Sequence, residues 1–154
     1  MARTWLQIHV ELLGGGGLEC DPPPGRIMLV GPAHTFEHLA ASIDAAFARW
    51  DLSHLHVFEL PDGRIVGFPD DEGFGDESVL DHAALKVARE VGPGDEFTYV
   101  FDLGDDWRHA CRVLTEKADP LDVYGVRPAR PVAIDGWGRI PDQYGRESFD
   151  AEES

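Results

Sequence analysis

Cysteine is nearly absent from this chain: Cys20 and Cys111 are the only two in 154 residues. A pair so far apart makes neither a disulfide framework nor a zinc motif, so free thiols in a reducing, cytoplasmic setting are expected. Positive charge is scarce too. Thirteen Lys and Arg stand against 29 Asp and Glu, a formal net charge of -16. Phosphate backbones and anionic membranes repel such a chain, and it is not expected to bind duplex DNA. No apolar run approaches the roughly 20 residues that span a bilayer. Met1-Ala2-Arg3-Thr4 leads into an alternating strand rather than the apolar core of a signal peptide, so no membrane role is expected.

What is present suffices for a single core. With 43% hydrophobic residues, the chain reads as one domain over 1–154, with its core at about 5–115 and an irregular arm over 116–154. Leu6, Ile8, Val10 and Leu12 alternate with Gln7, His9 and Glu11, the pattern of a half-buried strand. Gly14 to Gly17 and Pro22-Pro23-Pro24-Gly25 break it, and Arg26 to Val30 reads as the return. No Gly-Lys-Ser/Thr follows the glycines, so a hairpin connection explains them better than a phosphate cradle. Thr35 is a natural N-cap for a helix burying Phe36, Leu39, Ala40, Ile43, Phe47 and Trp50; His34 and His38 at its start read as exposed polar residues.

A second hairpin joins His54–Leu60 to Arg64–Phe68 through Pro61-Asp62-Gly63, followed by an acidic loop over 69–77. Ser78 then caps a predicted helix carrying Leu80, Ala84, Val87 and Val91 inward until Gly92-Pro93-Gly94. Phe97–Leu103 and Trp107–Leu114 form the last hairpin. In the arm, Tyr124, Trp137, Tyr144 and Phe149 are the expected anchors. The fold class expected is α+β, with a mixed or antiparallel sheet of about six strands, two helices and a β-grasp-like opening.

The stretch Phe97-Thr-Tyr-Val-Phe-Asp-Leu-Gly-Asp-Asp-Trp-Arg-His109 is the most informative. Phe97, Tyr99, Phe101 and Leu103 share one face at period two, and Asp102, Asp105, Asp106, Trp107 and His109 crowd the turn. Three aspartates and an indole beside one imidazole exceed what a hairpin needs, so these five are candidate ligand-binding residues. On that reading, His109→Ala and Asp105→Asn leave the melting temperature nearly unchanged.

That stretch, with Phe47, Trp50 and His54-Leu55-His56-Val57-Phe58 before it, resembles the plasmid pRiA4b ORF-3-like family, also described as transposon passenger proteins. The resemblance runs from about Trp5 to Val113. It implies plasmid or transposon association and no particular reaction. Where family members often carry a Pro-Pro-Glu-Asp-Cys-Gly-Gly-like segment, this chain has Pro131-Val-Ala-Ile-Asp-Gly-Trp-Gly138.

Two function classes fit the residues. The first is a non-catalytic module whose patch at Gly104–His109 binds a protein, a peptide or a small polar ligand. The second is a metal-dependent, hydrolase-type enzyme. His54 and His56 share a strand face, and with His109 and Asp102 or Asp105 they could hold zinc or manganese. A recombinase does not fit, because no Ser or Tyr nucleophile sits among phosphate-gripping basic residues. The module is the preferred reading.

Overall fold

A computed structural model of the protein describes residues 5–49, 51–52, 55–68 and 79–141. Strand β1 (Leu6–Gly15) alternates as the sequence predicts, with Leu6, Ile8, Val10 and Leu12 buried and Gln7, His9 and Glu11 half-buried on the opposite face. A short β2 (Leu18–Glu19) folds back on its end, and β3 (Gly25–Val30) returns antiparallel, pairing Leu6 with Val30 and Glu11 with Gly25.

Helix α1 (Phe36–Ala46) starts at Thr35 in a reciprocal cap. The Thr35 hydroxyl accepts the His38 N–H, and His38 Nδ1 accepts the Thr35 N–H, so a histidine fills the place usually held by Glu or Gln. Phe36, Leu39 and Ile43 are fully buried against the sheet, each contributing about 1.5–3 kcal/mol. His34 is buried rather than exposed, because Nδ1 accepts the Gly31 N–H at 2.9 Å and Nε2 reaches the Pro128 carbonyl at 3.2 Å.

Strands β4 (His56–Glu59) and β5 (Ile65–Gly67) form the predicted second hairpin. The predicted second helix is not formed over its first half. Val79–Asp81 is instead strand β6, parallel to β5, and helix α2 spans only Val87–Glu90. The edge of β5 satisfies the backbone there: His82 N–H donates to the Gly67 carbonyl at 2.9 Å, and the Asp81 carboxylate accepts the Ala83 N–H in an Asx turn. Ser78 and the acidic loop lie outside the described residues.

Strands β7 (Glu96–Phe101) and β8 (Trp107–Val113) form the third hairpin. The arm is less irregular than expected. It holds helix α3 (Pro120–Val123) and strand β9 (Val132–Trp137), which pairs antiparallel with β3. Trp5, Leu29 and Ala118 form a second small apolar cluster under Val132 and Ile134. Trp137 packs over Gly25, where an added Cβ would sit 2.2 Å from the indole, and against His9 at 5.0 Å. Tyr124 stays exposed, while Tyr144 and Phe149 lie outside the described residues.

All nine strands among the described residues belong to one mixed sheet, ordered β6-β5-β4-β7-β8-β1-β3-β9 with β2 on the end of β1. The α+β class holds, with more strands than six and three helices. The opening order matches a β-grasp but the centre does not, since β1 runs antiparallel to β8 where a β-grasp pairs its central strands in parallel. Helix α1 and the core occupy the inner face. No described helix is long and apolar enough to cross a membrane.

Candidate functional site

The Gly-Asp-Asp turn owes two of its aspartates to backbone geometry. Asp102 (φ 65) and Asp106 (φ 62) are left-handed, a conformation that Asp tolerates better than most residues. The Asp102 carboxylate accepts the N–H groups of Gly104 (3.1 Å) and Asp105 (3.2 Å). Asp102 is accordingly buried, and Leu103, expected inside, is exposed because the strand ends at Phe101. Gly16 N–H donates to the Asp105 carbonyl at 2.7 Å, which ties the glycine hairpin to the turn. Gly15 is required where Trp107 covers it, because an added Cβ would lie 2.4 Å from the indole.

Trp107 and His109 point inward. Arg49, which follows α1, lies with its guanidinium carbon 5.3–5.8 Å from the ring centres of Phe47, Phe101 and Trp107. Arg49 Nη2 is 2.9 Å from His109 Nε2, and His109 Nδ1 is 3.0 Å from the Tyr99 carbonyl. Arginine can only donate, so Nε2 accepts and Nδ1 carries the proton given to Tyr99. Burial, reinforced by the Arg49 charge, pushes His109 down to about 3 and holds it neutral. The Tyr99 hydroxyl donates to Asp44 at 2.8 Å. Burial pushes Asp44 up to about 7 against the opposing pull of Tyr99 and Arg49. Arg49 Nε and Trp107 Nε1 have no hydrogen-bond acceptor among the described residues.

His54 lies outside the described residues. His56 and His109 flank the Tyr99 ring, at 5.7 and 5.1 Å, and do not converge. His56 Nε2 is 2.9 Å from His82 Nδ1, and burial with His82 alongside pushes His56 down to about 4. No group of three or more metal-ligating side chains that could hold an ion occurs among the described residues. Cys111 is a buried free thiol whose pKa burial raises, which makes it a poor nucleophile.

The other two candidates face outward. Asp105 and Asp106 line a recess of about 300 Å³ with Leu13, Leu18 and Arg108, formed where the glycine hairpin meets the turn. Leu13 and Leu18 are exposed, and Arg108 pairs with Asp106 at 3.2 Å. The outer face of β1 and β8 leads from there into a second recess of about 650 Å³, lined in part by His9, Glu11, Glu59, Glu96, Thr98 and Arg112. Sequence reading placed His9 and Glu11 on the non-core face of β1 but missed this recess. It also missed Arg49 and Tyr99 as partners of His109, and Asp44 as the partner of Tyr99, since only the β7–β8 register and the packing of α1 on the sheet bring them together.

Comparison with solved structures finds MM3350, a protein of unknown function from Methanosarcina mazei Go1. It is 23% identical with a TM-score of 0.64, covering 86% of this chain and 68% of that one. That likeness shows a shared fold. No curated protein matches. The plasmid pRiA4b ORF-3-like protein family matches residues 5–146, nearly the whole chain. The chain belongs to that family.

Proposed function

We propose that this protein is a non-catalytic binding module that takes an extended segment of a partner protein at the recess beside the Gly-Asp-Asp turn. The observation that carries the reading is the division of polar groups at the β7–β8 hairpin. Asp102 and His109 spend their polar atoms on the fold, whereas Asp105 and Asp106 line an open recess with the exposed Leu13 and Leu18. Polar anchors beside apolar surface suit a peptide, whose backbone and side chains need both. Burial holds the imidazoles of His109 and His56 below the range of a neutral-pH acid–base catalyst, and Asp44, raised to about 7, is buried with its carboxyl group engaged by the Tyr99 hydroxyl rather than open to a substrate.

The reading is tested by selecting random displayed peptides on the immobilised protein and measuring the selected peptides against the Asp105→Asn/Asp106→Asn variant. Asparagine tolerates the left-handed turn, so the melting temperature should change little. Affinity should fall at least tenfold. Equal binding to both proteins, or no enrichment of any peptide, would sink the reading.

A further inference from the structure

Strand registers place three carboxylates around one floor on the outer sheet face. Glu59 stands opposite Thr98, Thr98 opposite Ala110, and Ala110 opposite Glu11, so one row crosses β4, β7, β8 and β1 with acids at both ends and small side chains between. The next row sets Glu96 opposite Arg112, and Arg112 opposite His9. Small residues between larger ones depress the floor, which accounts for the recess of about 650 Å³. Core and helix α1 lie on the opposite face, and the described arm covers the outer face around Trp5, Leu29 and Ala118 and, through Trp137, reaches the recess at His9.

We infer that this face receives a positively charged, extended segment of a partner protein, which enters beside the turn recess at Glu11 and crosses the strands from β1 through β8 and β7 to Glu59 on β4. The inference rests on the module reading and names its ligand class. Charge selects the occupant. The two longest stretches of this chain outside the described residues are acidic: 69–78 carries Asp70, Asp71, Glu72, Asp76 and Glu77, and 142–154 carries five acids against Arg146. A second copy at -16 is repelled as well. A basic segment complements Glu11, Glu59 and Glu96, and its approach is favoured by the whole molecule's field. Glu11 and Glu59 are three strand spacings apart, about 14 Å, close to the ~13 Å between residues i and i+4 of an extended chain. Alternating basic residues therefore reach both ends. Arg112 stands inside the recess and opposes the ligand's charge.

The probe is a labelled (Lys-Ser)5 peptide titrated at moderate salt. Glu11→Gln/Glu59→Gln/Glu96→Gln should weaken binding at least tenfold. The control Glu37→Gln/Glu116→Gln/Asp122→Asn, which changes net charge equally at residues that do not line the recess, should weaken it less than twofold. Arg112→Gln, which needs no acid removed, should strengthen it severalfold. Equal effects of the two triple variants would mean that the peptide reads net charge alone and would overturn the inference. So would an unchanged affinity for both triples. If these fail while the Asp105→Asn/Asp106→Asn variant still loses its selected peptides, the module reading stands without its basic ligand.

Discussion

Replacing His109 with alanine is expected to cost about 3 kcal/mol or more of stability. The ring is fully buried, packed by Phe47 and Tyr99, and is the acceptor for Arg49 Nη2. Its removal leaves a cavity and strips a buried cation of a hydrogen bond. Arg49→Met keeps most of the packing and removes the stranded charge, so it should be less costly in the His109→Ala background than in the native protein. Urea unfolding of the two single variants and the double provides the check. A loss below about 1 kcal/mol for His109→Ala would contradict the structural role. The sequence alone predicts no change for this substitution, because there His109 looks like a free imidazole beside three carboxylates. For His109 the geometry reverses that expectation, and for Asp105, half-exposed on a recess, it retains it.

Stability is expected to peak near pH 6.5 and to fall by about 1.4 kcal/mol per unit on acidification toward pH 4. His109 and His56, held down to about 3 and about 4, stay neutral in the fold while the unfolded chain protonates them below about 6.5. Each therefore contributes stability that is present above the unfolded value and lost as pH falls through that window. Asp44 has the opposite sign. Raised from 3.8 to about 7, it keeps its proton in the fold, and its contribution is lost as pH rises through that interval. The two most shifted histidines against one aspartate leave a net slope of one group, about 1.4 kcal/mol per unit, to which His34, also held down by burial, adds in the same direction. Asp44→Asn preserves an acceptor for the Tyr99 hydroxyl and removes the opposing term, so the acid slope should roughly double. Chemical unfolding from pH 4 to 7.5 gives both profiles. Superimposable slopes for native and variant protein would contradict the buried, protonated state of Asp44.

Much of this architecture is legible along the chain because its cause is local. Alternation fixes β1, β7 and β8, and Thr35 marks the start of α1. Strand β6 is not legible. Leu80, Ala84, Val87 and Val91 fall at helical spacing, and only the nearby edge of β5 turns Val79–Asp81 into a strand. Strand β9 is equally silent, being mostly exposed and defined by its pairing with β3. At the turn, the crowd of polar residues is visible in the sequence, but its direction is not. The inward parity of Trp107, His109, Cys111 and Val113 follows from alternation. The burial of Asp102 does not, because it depends on a left-handed backbone that ends the strand two residues before Leu103.

Amide chemical-shift mapping with the (Lys-Ser)5 peptide tests most directly whether the outer sheet face and its turn recess are the binding side of the molecule. Shifts concentrated at His9, Glu11, Leu13, Glu96, Thr98, Asp105, Arg108, Ala110 and Arg112 are predicted, with the amides of helix α1 unmoved. Shifts centred on α1, or spread evenly over every acidic surface, would contradict the account.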